Sequence, residues 1–138
     1  MDLLSLLNEN ARLTNAQLAV MLGKTEEEVE KEIADYQQKG IIKGYKALIN
    51  WEKVDHHKTT ALIELKVQPK KESGFDEIAK KIMQFSKVES VYLMSGGFDL
   101  AVMVHGDSIQ DIAMFVAKRL SPLDSVLSTA THFILTRY

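Results

Sequence analysis

Residues 91–105 hold the most chemically suggestive pattern in the chain: Val91-Tyr92-Leu93-Met94-Ser95-Gly96-Gly97-Phe98-Asp99-Leu100-Ala101-Val102-Met103-Val104-His105. Two apolar, partly β-branched runs flank Ser-Gly-Gly, and Asp99 opens a run too apolar to need a carboxylate for solubility. Glycine lets a second backbone or a small ligand approach closely. A permissive loop beside an acid, Asp99, at a strand edge is what a small-molecule ammonium group would need. The same residues also read as a hairpin turn with a capping acid.

The remaining residues able to do chemistry are scattered. His56 and His57 are adjacent in a polar stretch, where neighbouring side chains of extended chain point apart and do not make a metal pair. His105 and His132 fall near strand ends and read as satisfied polar residues; at an interface His132 would titrate near neutrality. Met83, Met94, Met103 and Met114 read as core or interface filler, and Trp51 as a linker anchor. No cysteine is present, which excludes disulfide and thiolate chemistry and fits a reducing cytoplasm. No metal, cofactor or catalytic constellation is expected.

Positioning these residues falls to a chain of 138 residues, enough for one domain or two very small ones. Hydrophobic residues make up 46% and charged residues 26%, the balance of a soluble globular protein. No apolar run nears the roughly 20 residues that cross a bilayer, and the start, Met1-Asp2-Leu3-Leu4, lacks a basic n-region, so neither a membrane partner nor a signal peptide is expected. The net charge of −2 is uneven: residues 1–52 carry six Lys/Arg against nine Asp/Glu.

Leu3, Leu4, Leu6 and Leu7 predict a short first helix. Thr14-Asn15-Ala16-Gln17 is a capping box opening a second helix that Gly23 stops, and Thr25-Glu26-Glu27-Glu28 opens a third, with Val29, Ile33 and Tyr36 at helical spacing up to Gly40. Two short capped helices separated by Gly23-Lys24 read as helix-turn-helix. Ile41–Ile49 is expected as a strand or small hairpin in the place of a wing. The expected domains are residues 1–50, a linker over 51–58, and residues 59–138.

In the last of these, Ala61, Ile63, Leu65 and Val67 alternate with Leu62, Glu64 and Lys66, a strand with one buried face, ended by Pro69. Phe75, Ile78, Ala79, Ile82 and Met83 share a helical face. Val88–Met94 and Phe98–His105 are strands around the glycine pair. Ser108 and Asp111 cap a helix with Ile109, Ile112, Ala113, Val116 and Leu120 on its buried face, and Val126–Leu135 is the last strand. The order β-α-β-β-α-β predicts an antiparallel four-stranded sheet with two helices on one face. The fold class is α+β: a winged helix-turn-helix followed by a ferredoxin-like βαββαβ sandwich. The bare face of such a sheet needs a partner, so a sheet-against-sheet homodimer and a higher homo-oligomer are expected.

Leu7-Asn8-Glu9-Asn10-Ala11-Arg12-Leu13-Thr14, Leu18-Ala19, Gly40-Ile41-Ile42-Lys43-Gly44-Tyr45, Ser95-Gly96-Gly97-Phe98-Asp99-Leu100 and Ser125–Thr131 together, in order and spacing, resemble the Lrp/AsnC family of leucine- and asparagine-responsive transcription regulators. The resemblance implies a DNA-binding N-terminal domain and a C-terminal domain that binds amino acids at contacts between dimers. It implies that the glycine loop and Asp99 line the effector pocket, with Thr131 and His132 on a contributing strand; loop N–H groups of Gly96 and Gly97 and the Ser95 hydroxyl would then hold a carboxylate while Asp99 pairs with an ammonium. The chain departs from the family in a shortened first helix and in an acidic third helix, where family recognition helices are usually basic.

Double-stranded DNA is then the expected macromolecular partner, with Arg12, Lys24, Lys39, Lys43 and Lys46 on phosphates, and Lys31 and Glu27 on the groove-facing helix, where a glutamate can accept from cytosine N4. With so many acids on the facing helix, affinity per dimer is expected to be weak and salt-dependent, and repetition in a multimer to compensate. Two rivals stand beside this reading. One is an effector-binding assembly protein whose helix-turn-helix has lost DNA. The other, for which no site is evident, is an enzyme like the haem-pathway decarboxylases that share the two-domain fold.

Overall fold

The computed structural model describes residues 2–55, 58–70 and 74–138. The chain divides into two compact units, Met1–Ile49 and Asn50–Tyr138, each with its own core.

The first unit is three short helices, α1 (Leu3–Glu9), α2 (Asn15–Leu22) and α3 (Glu26–Gln38). Each is too short to be stable alone, and local chemistry sets its ends. Asp2 caps α1 by accepting the Ser5 N–H at 2.8 Å. Both expected capping boxes form: Thr14 with Gln17 and Thr25 with Glu28 each exchange backbone-to-side-chain hydrogen bonds. Gly23 and Gly40 end α2 and α3 at φ of +65° and +73°, and the amide following each glycine returns to a carbonyl five residues back, Lys24 to Ala19 and Ile41 to Tyr36. Leu3, Leu6, Leu7, Leu18, Ala19 and Val29 form the core, with Leu13, Leu22, Ile33, Tyr36 and Ile42 packed around it.

The expected wing is not formed. Residues 41–50 contain no strand. Gly44, the only residue placed to turn the segment back on itself, does not adopt a positive φ, so a tight hairpin cannot close and the single extended run has no ladder partner. The stretch expected as linker contains a 3-10 turn, Trp51–Lys53, that belongs with the second unit; His56 and His57 lie outside the described residues.

The second unit runs β1 (Thr59–Val67), α4 (Gly74–Met83), β2 (Val88–Leu93), β3 (Leu100–Gly106), α5 (Ile109–Phe115) continuing as a π-helical turn over Val116–Leu120, and β4 (Val126–Ile134). The sheet order is β2-β3-β1-β4 with every pairing antiparallel, as the β-α-β-β-α-β reading requires. Strand alternation places Ala61, Ile63, Leu65 and Val67 opposite Val104, Val102 and Leu100 under the helices, where Ile78 and Ile82 of α4 and Ile112, Phe115, Val116 and Leu120 complete the core.

Two helix faces differ from the periodicity. Met83 is 46% exposed, at the end of α4. In α5, Ile109 is 56% exposed and Ala113 is also exposed, while Phe115, absent from the expected stripe, is buried and meets Phe85 edge to face at 5.5 Å. The aromatic ring covers the core that the smaller Ala113 cannot reach, and Ile109 lies in the first turn of the helix. Met94 and Met114 are exposed and Met103 is half-buried, so these three do not fill the core, which leaves the interface half of that reading. Among the described residues no helix is long and apolar enough to cross a membrane.

Candidate functional site

Alternation along the strands sends a second set of side chains to the face away from the helices. In register these are Leu62, Glu64 and Lys66 of β1, His132, Ala130 and Ser128 of β4, Met103 and Ala101 of β3, and Tyr92 of β2. The β2–β3 connection, closed by a 2.8 Å hydrogen bond from the Met94 N–H to the Asp99 carbonyl, folds toward the open face. Together they make a cavity of about 490 Å³ lined by Glu64, Lys66, Gly97, Phe98, Ser128, Thr129 and Ala130.

One carboxylate and one ammonium therefore reach the same cavity from adjacent positions of one strand face, about 7 Å apart along the chain. The glycine loop supplies the wall opposite them. Neither Gly96 nor Gly97 has a positive φ, and a Cβ built on either would meet nothing within 4 Å. The fold itself does not require glycine there; what the glycines provide is unobstructed backbone and room. Glu64 has a second partner. Its Oε2 lies 2.6 Å from His132 Nε2 on the neighbouring strand, a diagonal pair made possible because Leu62, not Glu64, is in register with His132.

Of the residues expected in the effector site, the structure brings Gly97 to the cavity and His132 to its rim through Glu64. Ser95 and Gly96 are exposed and do not line it. Asp99 faces elsewhere: Oδ2 accepts the Val67 N–H at 2.9 Å, and the Asp99 N–H donates to the Leu65 carbonyl at 3.0 Å. The pairing of β1 with β4 slips between Lys66 and Val67, and Asp99 satisfies the amide at that irregularity. Thr131 is in register with Ile63 and so turns to the helix-covered face, opposite His132. Sequence reasoning passed over Glu64 and Lys66, which look like the solvent-side half of an amphipathic strand; the signal was their opposite charge at a spacing of two.

In the first unit, Arg12, Lys24, Glu27, Lys31, Lys43 and Lys46 are all exposed. Lys24, in the turn between α2 and α3, is drawn to Glu32 at 2.7 Å, and the hydrogen bond it donates to that carboxylate holds the ammonium above the usual lysine range. Tyr36 also donates to Glu32, at 3.2 Å. Lys39 pairs with Asp35 at 2.9 Å. Glu28 turns back onto the Thr25 N–H, leaving Glu26 and Glu27 in the first turn of α3, where carboxylates complement the helix dipole.

The model of the Lrp/AsnC ligand binding domain matches residues 60–138. The chain belongs to the Lrp/AsnC family. An uncharacterized HTH-type transcriptional regulator of Bacillus subtilis, YugG, is 48% identical over 99% of this chain and 83% of its own length. The HTH-type transcriptional regulator LrpA of Pyrococcus abyssi is 28% identical over 98% of this chain and 93% of its own. Among solved structures, the feast or famine regulatory protein of M. tuberculosis, complexed with L-methionine, superposes with a TM-score of 0.75 at 23% identity, covering 98% of this chain and 88% of that one; at that identity the likeness is one of fold. Lrp/AsnC proteins are transcription regulators, so this chain is placed among regulators and not enzymes.

Proposed function

We propose that this Lrp/AsnC protein is an oligomeric, DNA-binding transcription regulator of the cytoplasm that senses an amino acid in the cavity on the open sheet face. The observation that carries the reading is the Glu64–Lys66 pair beside Gly97. Lys66 takes the ligand's carboxylate, Glu64 its ammonium, and the side chain extends along Phe98 and Ala130, an arrangement that only a zwitterion satisfies at both ends. A relative of the same fold has been solved with L-methionine, which supports the ligand class. The apolar residues that share this face, among them Leu62, Met103 and Tyr92, support self-association through it, and ligand at its margin would favour one assembly over another. The first unit would then present Lys31 on α3, with Arg12 before α2 and Lys43 and Lys46 after α3, to DNA, and Glu27 near the bases.

A thermal-shift screen over the twenty amino acids tests the cavity. A ligand at 100 times its Kd adds about 2.7 kcal/mol of stability, and Lys66→Met or Gly97→Leu abolishes the shift in protein that still folds. A shift that survives both substitutions places the site elsewhere.

The internal pairing of Lys24 with Glu32 and of Lys39 with Asp35 favours one further reading, in which α3 has lost DNA and the protein acts as an effector-binding assembly unit. A gel-shift titration against its own upstream region at low salt separates the two. Binding that collapses as salt rises supports the regulator; absence of binding with and without effector supports the assembly unit.

A further inference from the structure

The Glu64 carboxylate has two claimants, the cavity on one side and His132 on the other, 2.6 Å away. Few other charges act on it. On β1 the same face presents Lys66. On β3 the residue in register with Glu64 is Ala101, buried and apolar; His105 stands at the far end of that row, opposite Thr60 and 3.2 Å from Glu89 of β2. Tyr92 of β2 lies beyond Ala101. On β4 the residue in register is Ala130. The charges around Glu64 are thus those of Lys66 and His132.

We propose that His132 makes effector capture proton-linked. With a neutral imidazole donating through Nε2, Glu64 keeps its full negative charge and draws the ligand's ammonium. With an imidazolium, the pair is neutral, and a second cation arriving at the same carboxylate meets repulsion. By linkage the coupling is reciprocal: an ammonium seated on Glu64 expels the proton from His132. Acidification would empty the cavity while Lys66 and the ligand's carboxylate remain unchanged. This inference rests on the amino-acid reading of the cavity.

The test is titration calorimetry of the full chain with L-methionine, or with whichever of the twenty amino acids gives the largest thermal shift, at about pH 8 and about pH 5.5, on either side of the range in which imidazoles titrate. The expected result is a Kd about fivefold weaker or more at the acidic value, with proton release on binding seen as a dependence of the heat on buffer ionisation enthalpy. His132→Gln, which keeps a donor without a charge, flattens the dependence; Glu64→Gln weakens binding at both values and flattens it too; His105→Gln leaves it intact. The proton-release measurement needs no variant, so it decides even where a variant fails to fold. Affinity that does not change with pH, or a dependence that survives His132→Gln or disappears in His105→Gln, overturns the proposal while leaving the cavity as the site. Failure of all twenty amino acids to bind near pH 8 overturns the cavity reading and the proposal with it.

Discussion

The Asp99 carboxylate accepts the Val67 N–H across 32 positions of sequence, at 2.9 Å. The bond fastens the loop that walls the cavity to the strand that carries Glu64 and Lys66. Asp99→Ala leaves a half-buried amide without its acceptor and is expected to cost about 1–3 kcal/mol, measured by urea unfolding. Asp99→Asn, which retains an acceptor oxygen, should recover most of the loss. An unchanged midpoint in the alanine variant would return Asp99 to the role of a free ligand group.

Gly106 closes β3 against the start of α5, where an added Cβ would lie 2.6 Å from Asp111 Oδ2 and 2.9 Å from Ile112 Cγ1. Ile112 is fully buried and cannot retreat. Gly106→Ala is therefore expected to destabilise by about 1–3 kcal/mol, whereas Gly96→Ala, with open space around it, should change stability by no more than about 0.5 kcal/mol. Thermal denaturation of the two variants side by side checks the contrast.

Asp111 is held below the ordinary aspartate range, first by the hydrogen bond from the Lys87 ammonium at 2.6 Å and then by the Asp107 N–H. A carboxyl whose pKa is depressed by folding stabilises the native state above its unfolded value, and that contribution disappears as pH falls through the folded one. Stability should thus decline as the solution is acidified below about pH 4, and Asp111→Asn should show a shallower decline. An identical acid limb in the variant would mean that Lys87 and Asp111 are not paired in solution. Asp2, lowered by the Ser5 N–H, contributes with the same sign in the first unit.

Lys24 is tied to the very helix it would need to assist on DNA. Glu32→Gln removes an acid from α3 and releases this lysine at once. On the regulator reading, low-salt DNA affinity should rise severalfold, and the dependence of log K on log salt should steepen by about 0.9, the value of one additional phosphate contact. Gel shifts at a series of salt concentrations measure both. No gain in affinity would favour the assembly-unit reading.

The parts of the fold that local rules govern were legible. Thr14, Thr25, Gly23 and Gly40 mark helix ends because capping is a matter of a few adjacent residues, and the alternation from Ala61 to Val67 reports its buried face directly. Ile41–Ile49 misled because an apolar, β-prone run does not reveal whether a partner strand exists. In α5 the helical spacing of Ile109 and Ala113 conveys position and not side-chain reach, and so does not disclose Phe115. Around the cavity, a sequence shows Asp99 beside the glycine loop, not the amide that a slip in strand pairing leaves waiting at Val67. Glu64, Lys66 and Ser128 join the loop only through pairings more than 30 residues long, which one strand's pattern cannot disclose.

The open space around Gly96 and Gly97 has an evolutionary corollary. A Cβ added at either position would meet nothing within 4 Å, so a small side chain there does not disturb how the chain folds. On the amino-acid reading of the cavity, descendants of this sequence are free to drift toward new effectors through Gly97, which lines it, while β1 and its charged pair stay bound to the sheet they help to build.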